Sequence, residues 1–439
     1  MALFAGGATC EINCEIGDDL AGQLHRRFCN RRRDDLEANL LYLANEDTSL
    51  ILGSLDLLWL GEHQVVQRIR RAMARATGVE EQDIILFCTH THSGPFVADR
   101  PFIHDAPRND AYQERLQHRL VHAAETAVES AEPAEVGWAR GEAHLGYNRR
   151  LCWADGSHTM YGDASRADFT GVEGPDDPEH LVLAVTDEGG RHVAILHNNC
   201  CHAICVEQSD FSSSDFPGEA RQLIRTALDE PVPVLYLQGA SGDVAPWNMT
   251  SANPRYSRSR RLHEVAHQVA SETLRLLHSL SREDSPVLSH AHEDMPVGVR
   301  LPTDEDLAWA REVQQQGEEG AGRRDYVLAV DGVLALQDMY GDDPTDHVPL
   351  HVVRIGDFAM ATNPCELYCQ FGIDIKRRSP AGVTAIGELT DGAVGYCPTT
   401  YGVLGGGYSG RPLRWCRLDP ETGYHLVDAT ARMLHQLWR

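Results

Sequence analysis

Two histidines, His90 and His92, follow a short apolar segment and are spaced so that their side chains can act together. The apolar residues 84–87 predict a buried strand, and the pair Gly94-Pro95 predicts its end. Because side chains alternate along an extended chain, we expect the two imidazoles to point the same way. This pattern indicates either a metal ligand next to an acid or base, or two hydrogen-bonded loop histidines.

Four further reactive side chains also follow predicted buried strands, namely His202, Asp243, Glu366 and Tyr396. In α/β folds ligands bind beyond the carboxyl ends of strands, so these ends are where a site is expected. Imidazole nitrogen and carboxylate oxygen are ligands that suit zinc, and a catalytic zinc keeps one position open for water. Each residue also has an ordinary structural explanation, and their types alone do not require that they converge.

Alternating strands and helices predict the scaffold that positions these residues. We predict strands at 3–12, 50–60 and 84–87 and amphipathic helices at 62–77 and 110–131, the second capped by Asn109. The alternation implies an α/β fold with mixed, largely parallel β-sheets flanked by helices. Residues 281–349 are polar and predict irregular structure with a mobile loop at 314–324. Without an internal repeat or a linker, we predict one domain over 1–439.

The charge and the cysteine content restrict the classes of partner and compartment. The chain has 439 residues, a net charge of -26 and 12 cysteines. The negative charge argues against nucleic acid or an anionic membrane as a partner. The N-terminal residues lack the basic segment of a signal peptide, and the apolar run 50–60 is too short to span a membrane. We therefore predict a soluble cytoplasmic protein with reduced cysteines that acts on a small molecule; the oligomeric state is left open.

A competing metal motif lies in the predicted helix after residue 258. His263-Glu264-Val265-Ala266-His267 matches the H-E-x-x-H pattern of zinc proteases, which places two histidines on one helix face. Arg260 and Arg261 precede the motif, where zinc proteases keep uncharged residues, and the third ligand would have to be Glu283 or Glu293. We interpret His263 and His267 as exposed helix residues that bind no metal.

An ordered set of motifs resembles the neutral/alkaline, non-lysosomal ceramidase family. These motifs are Thr89-His90-Thr91-His92-Ser93-Gly94-Pro95, Asn148-Arg149, Cys201-His202-Ala203, Ser214-Asp215 with Gly218, Gly242-Asp243-Val244-Ala245-Pro246, Pro364-Cys365-Glu366, Gly395-Tyr396-Cys397-Pro398-Thr399 and Tyr408-Ser409-Gly410. They follow the order of the family and span most of the chain. The resemblance implies the fold of the ceramidase catalytic domain.

The resemblance also implies a zinc site with His90, His202, Glu366 and Tyr396 as ligands. It carries the remaining site positions over to His92, Arg149, Asp243 and Tyr408. Two positions depart from the family pattern: Ala245 stands where the ceramidases have a catalytic serine, and Cys365 replaces a glycine. The family's C-terminal immunoglobulin-like domain and export signal also have no counterpart, so we expect little activity on long-chain ceramide.

The function that follows is that of a zinc-dependent hydrolase with a metal-activated water, acting on an amide bond of a small soluble N-acyl substrate. Asp243 is the expected base, His92 the group that protonates the leaving group or holds the substrate oxygen, and Arg149 and Tyr408 the groups that stabilise developing negative charge. The choice between Asp243 and His92 as general base stays open. One alternative is a zinc enzyme acting on a sugar or polyol, for which Trp153, Trp247 and Trp415 would provide stacking surfaces or else be core residues. Another is a metal-containing binding protein without catalysis.

Overall fold

Two β-sheets packed face to face form the centre of the fold, and helices cover their outer faces. The computed structural model describes residues 2–61, 63–97, 109–253, 257–283 and 285–439. The strands are β1 Leu3–Glu11, β2 Arg31–Arg32, β3 Glu37–Ala44, β4 Ser49–Leu55, β5 Ile84–Cys88, β6 Glu132–Glu142, β7 Tyr147–Asn148, β8 Arg150–Trp153, β9 His158–Met160, β10 Phe169–Val172, β11 Glu179–Asp187, β12 His192–Asn199, β13 Phe211–Ser212, β14 Val234–Gln238, β15 Val244–Ala245, β16 Ser281–Glu283, β17 Leu288–Gly298, β18 Thr345–Ile355, β19 Phe358–Thr362, β20 Cys365–Leu367, β21 Val383–Gly387 and β22 Gly395–Cys397.

The helices are α1 His63–Thr77, α2 Asp110–Glu129, α3 Asp215–Leu228, α4 Arg258–Leu277, α5 Asp304–Ala321, α6 Arg323–Val327, α7 Ala335–Tyr340, α8 Cys369–Arg378, α9 Thr400–Gly405 and α10 Thr422–Leu437. A 3-10 turn at Glu81–Asp83 precedes β5, and a π-helical segment at Leu328–Leu334 joins α6 to α7. Within the described ranges, no helix has both the length and the hydropathy that a membrane span requires.

The strand pairing confirms an α/β fold but not sheets that are largely parallel. The larger sheet has the order β14-β12-β11-β6-β1-β3-β4-β5, with β16 added to β6, and the smaller has the order β17-β18-β19-β21. In these two sheets only the pairs β4–β5, β12–β14 and β19–β21 are parallel. The other pairs are antiparallel because tight connections, rather than crossover helices, join strands such as β3 to β4 and β11 to β12. The prediction of largely parallel sheets is therefore wrong.

Apolar clusters hold the layers together and leave the strand ends free for chemistry. Side chains of both sheets, among them Phe87, Leu235 and Val353, form the core between them. Helices α1 and α2 cover one part of the outer face of the larger sheet, and α3 and α4 cover another. Helices α8 and α10 cover the smaller sheet. This burial fixes the ends of β5, β12, β14 and β21, from which the candidate site residues follow.

The predicted elements of the first half agree with the structure in type and nearly in length. Strand 3–12 is β1, strand 84–87 is β5, and strand 50–60 is β4, which already ends at Leu55. Helix 62–77 is α1, although its predicted first residue lies outside the described part. Helix 110–131 is α2, and the side chain of Asn109 accepts a hydrogen bond from the backbone N–H of Tyr112, which confirms the predicted cap.

The predicted irregular structure over 281–349 is wrong. The region contains β17 and β18, which pair along their whole lengths, and helix α5, which is interrupted by a kink at Gly317, includes most of the predicted mobile loop 314–324. A capping box starts α5: the Thr303 side chain accepts from the Asp306 N–H, and the Asp306 side chain accepts from the Thr303 N–H. The buried residues of α5 are Ala310 and Val313. Because the helix buries so few side chains, its polar composition led to the wrong prediction of irregular structure.

Candidate functional site

A left-handed backbone conformation at His90 directs the first predicted ligand into the site. The residue follows β5 with φ of 62°, which is uncommon for a residue with a side chain. The ring centroids of His90 and His92 are 4.7 Å apart, so the two imidazoles do meet as predicted. The rings meet because the backbone bends at His90. The prediction had relied instead on the alternation of side chains along an extended strand, which does not apply here.

Three histidines place their Nε2 atoms together, and each is oriented by a backbone carbonyl. Nδ1 lies 2.9 Å from Leu58 O in His90, 2.8 Å from Gly22 O in His92 and 3.0 Å from Ser241 O in His202. Carbonyl oxygens only accept, so Nδ1 carries the proton in each ring and Nε2 presents a lone pair. Nε2 of His90 is 2.8 Å from Nε2 of His202 and 3.2 Å from Nε2 of His92. Three lone pairs converging at this distance suit a shared cation.

The Glu366 carboxylate completes this cluster from β20. Its Oε2 atom is 3.6 Å from Nε2 of His90 and 3.6 Å from Nε2 of His202. Within the described residues no hydrogen-bond donor reaches this buried oxygen. With the 2.8 Å separation of the two nitrogens, the three atoms form a triangle whose centre is about 2 Å from each corner, which is about the bond length that zinc makes to nitrogen and oxygen. These residues therefore fit a metal ion.

Burial keeps His92 and His202 in the form that binds metal. It lowers the pKa of His92 well below the usual range, as does the neighbouring His90 to a smaller degree. Burial and then the Arg149 guanidinium do the same for the pKa of His202. Both imidazoles are consequently neutral at pH 7, which leaves their Nε2 lone pairs available.

Arg149 and three tyrosines form a second group beside the histidines. Arg149 donates from Nη1 to the Tyr161 hydroxyl at 3.0 Å and from Nη2 to the Tyr396 hydroxyl at 3.4 Å and to Gly242 O at 2.8 Å. The Tyr408 ring packs edge-on against Tyr396, with centroids 5.8 Å apart. Burial raises the pKa of Tyr396 well above its usual range, with a further contribution from the Glu366 carboxylate. Tyr396 pairs with Glu366 across β20 and β22, and its role as a metal ligand stays a prediction.

A cavity of about 840 Å³ opens onto these groups. Of the predicted site residues, its wall includes His90, His92, Arg149, Glu366, Tyr396 and Tyr408, and aromatic side chains such as Trp59, Tyr161, Tyr340 and Trp415 also contribute. Of the three tryptophans considered for sugar stacking, Trp153 and Trp247 instead belong to a buried apolar cluster. The cavity is large enough for a substrate of drug-like size and joins polar groups at the histidines to an aromatic wall.

Asp243 lies close to this group but not on the cavity wall. Its Oδ1 atom accepts from the Cys369 backbone N–H at 2.8 Å, and its Oδ2 atom accepts from the Asn148 side chain at 2.8 Å. Its backbone carbonyl accepts from the Arg149 N–H at 2.8 Å. Burial raises the pKa of Asp243 to about 7. The geometry therefore gives this carboxylate internal partners, whereas His92 faces the cavity; which of them is the base stays a prediction.

The competing H-E-x-x-H pair lies on the outside of α4. His263 and His267 are both exposed, and His263 is paired with Glu219 of α3. In the ranges that the structure describes, His90, His92 and His202 form the one group of three or more potential ligand side chains close enough to share an ion. That His263 and His267 bind no metal remains a prediction.

Two residues of the site were not predicted from the sequence. Tyr161 contacts Arg149 and has φ of 65°, and a side chain held in this conformation is costly and often functional. Glu388 is fully buried after β21 and binds the loops that hold His202 and Glu366. The charge of Glu388 at the end of a predicted buried strand was a readable signal, because a buried carboxylate needs partners.

This chain resembles known proteins in its fold, whereas comparison of its sequence finds no match. No protein-family model and no curated protein matches the chain. A ceramidase complexed with C2 superposes with a TM-score of 0.77 at 14% identity, over 100% of this chain and 75% of that one. Neutral ceramidase from Pseudomonas aeruginosa superposes with a TM-score of 0.75 at 15% identity, with the same coverage. The chain has the fold of the neutral ceramidases, which confirms the fold expected from the motifs.

Proposed function

We propose that this chain is a zinc-dependent hydrolase that cleaves the amide bond of a small N-acyl substrate. The observation that carries the proposal is the cluster of His90, His202 and Glu366, whose converging atoms match the bond lengths of zinc. The fold shared with ceramidases, which are amide hydrolases, supports the amide as the bond that is cleaved. The proposal also keeps a cytoplasmic location and a soluble substrate, as the sequence predicts.

His90, His202, Glu366 and Tyr396 would hold the metal in this proposal. Zinc bound there would polarise a substrate oxygen and lower the pKa of a bound water to about 7. His92 is the residue whose role is least fixed, because its Nε2 atom also points to the cluster, 3.2 Å from that of His90. We assign it to proton transfer, since adding His92 to His90, His202, Glu366 and Tyr396 would give five protein ligands and leave no position for a water even on a five-coordinate zinc.

The remaining groups act on the substrate. Arg149, oriented by Tyr161 and by Gly242 O, is placed to bind the oxygen on which negative charge develops. Tyr408 lines the same wall and can donate its hydroxyl hydrogen to that oxygen. His92, held by Gly22 O through Nδ1, can accept a proton at Nε2 from the attacking water and return it to the leaving amine.

The test combines metal analysis with a substrate panel. The purified protein is expected to contain close to one zinc per chain and to hydrolyse some N-acyl compounds in a panel of graded acyl length. Chelation should abolish the activity, and added zinc should restore it. His202→Ala should lose both zinc and activity, whereas His263→Ala, which removes an exposed histidine, should keep both.

Two other outcomes would replace the proposal. Zinc together with hydrolysis of glycosides but not of N-acyl compounds would favour the sugar alternative, in which Trp415 on the cavity wall would serve as a stacking surface. Zinc without hydrolysis of either class would favour a metal-containing binding protein. A protein that binds no zinc at all would refute the proposal.

A further inference from the structure

Glu388 has an unusually complete set of hydrogen bonds for a buried carboxylate. The residue is 0% exposed, and no arginine or lysine pairs with it among the described residues. Its Oε1 atom accepts from Gln238 Nε2 and Ser241 Oγ, both at 2.7 Å. Its Oε2 atom accepts from the backbone N–H groups of Ser241 and Leu367, both at 3.1 Å. Removal of this carboxylate is therefore costly, because all four donors would lose their acceptor.

These donors belong to two segments, residues 238–242 and strand β20, and each bears on a different part of the candidate metal centre. In the first segment, the carbonyl oxygen of Ser241 accepts from Nδ1 of His202 at 3.0 Å and so orients one histidine. In the second, Leu367 directly follows Glu366, so β20 carries the carboxylate. The Gly242 N–H also donates to Leu367 O at 2.9 Å, which joins the same two segments a second time. Glu388 is therefore the side chain through which the position of His202 is tied to that of Glu366.

We propose that Glu388 is a positioning residue that sets the distance between His202 and Glu366 and thereby the metal affinity of the centre. The inference rests on the proposed function, because it requires that these two residues bind the same ion. Residues that orient metal ligands through hydrogen bonds contribute strongly to metal affinity, and their replacement commonly lowers it 10- to 100-fold. Nothing in the contacts of Glu388 requires that it touch the substrate, and it is absent from the cavity wall.

Glu388→Gln is the informative change because it keeps the volume of the side chain but replaces one acceptor oxygen by an NH₂ group. The NH₂ group then faces either the two backbone N–H donors, or the Gln238 amide and the Ser241 hydroxyl, both of which must reorient to accept from it. We expect zinc affinity, measured by competition with a chromophoric chelator, to fall 10- to 100-fold. The absorption spectrum of the cobalt-substituted protein should change as well, because it reports the geometry of the ligands. Ser241→Ala, which removes only the Oγ donor, should lower the affinity by a smaller factor and remains informative if Glu388→Gln does not fold.

Glu37→Gln is the matched control. Glu37 is likewise buried, but it accepts from Arg221 and Arg225 of α3, and no contact joins it to His202 or Glu366 in the described residues. We expect this variant to lose stability and to keep the zinc affinity of the wild type. Zinc affinity within twofold of wild type in both Glu388→Gln and Ser241→Ala would overturn the positioning role and leave the proposed function intact. Absence of zinc binding by the wild type would overturn both.

Discussion

Replacement of Asp243 by asparagine distinguishes a catalytic base from a carboxylate that organises the protein. In the wild type, its two oxygens accept from the Cys369 N–H and from the Asn148 side chain. Asparagine has one oxygen, so one of these donors must face an NH₂ group. An unsatisfied buried donor costs about 1–3 kcal/mol. We expect Asp243→Asn to lose stability by about this amount through the hydrogen bond alone, apart from the effect of the missing charge.

The missing charge makes this difference depend on pH. Burial raises the pKa of Asp243 from its ordinary 3.8 to about 7, so the folded protein keeps this proton to a higher pH than the unfolded chain does. Deprotonation therefore lowers the stability of the wild type as pH rises from about 4 to 7, by up to about 4 kcal/mol. Asparagine does not titrate. The stability of Asp243→Asn relative to wild type should thus improve across this range.

Two assays on the same protein decide between the roles. Urea unfolding midpoints of the chelated protein, measured from pH 4 to pH 8, should move in favour of the variant as pH rises. Asp155→Asn, which removes an exposed carboxylate, should show no trend of this size. Turnover of the zinc-loaded variant should stay within about tenfold of wild type if His92 is the base, whereas loss of a base costs 10² or more.

Two results would contradict these expectations. A difference in stability that stays constant from pH 4 to pH 8 would show that burial does not raise the pKa of Asp243. A variant with wild-type zinc content and stability but a 10²-fold loss of turnover would identify Asp243 as the base. His92 would then be left with the leaving group or the substrate oxygen, the role first expected for it.

Three further changes test the remaining assignments. His202→Ala should reduce bound zinc to a small fraction of the wild-type content, measured by elemental analysis after gel filtration; retention of zinc would remove His202 from the ligand set. The double variant His263→Ala/His267→Ala should keep wild-type zinc content because both residues are exposed on α4, and zinc loss would mean that the helix motif is the metal site. Ala245→Ser should lower the free energy of unfolding by about 1–3 kcal/mol without raising turnover, since position 245 lies in an apolar cluster with Trp247; a gain in turnover would show that a hydroxyl there reaches the substrate.

Local signals were sufficient for much of the scaffold. The apolar periodicity of α1 and α2 and the cap at Asn109 could be read directly, because each depends on residues within a few positions of one another. The same approach failed for α5 and β17. Few side chains of α5 are buried, and β17 carries two histidines and two acidic residues near its middle, so average polarity concealed both. The Thr303–Asp306 capping box was the local signal that would have identified the start of α5.

The residue types of the candidate site could be proposed from the sequence, but its geometry could not. The motif order placed His90, His202, Glu366 and Tyr396 in one set, and the distances between their atoms bring three of them to a common point. The bend at His90 and the role of Glu388 depend on contacts between segments far apart in the sequence, which no local pattern encodes. Tyr161 was missed for the same reason, since its place beside the candidate site follows only from its contact with Arg149.

The positions of the proposed ligands in the fold explain why the candidate centre would depend on both sheets. His90 follows β5 and His202 follows β12, both in the larger sheet, whereas Glu366 lies in β20, directly after β19 of the smaller sheet. A single ion on these residues would bridge the segments that leave the two sheets, and the network of Glu388, Ser241 and Leu367 bridges them a second time without metal. Because ordered protein contacts already hold His202 near Glu366, little conformational entropy remains to be lost when the ion binds. This preorganisation is the physical reason to expect high metal affinity from a site assembled over more than 270 residues of sequence, from His90 to Glu366.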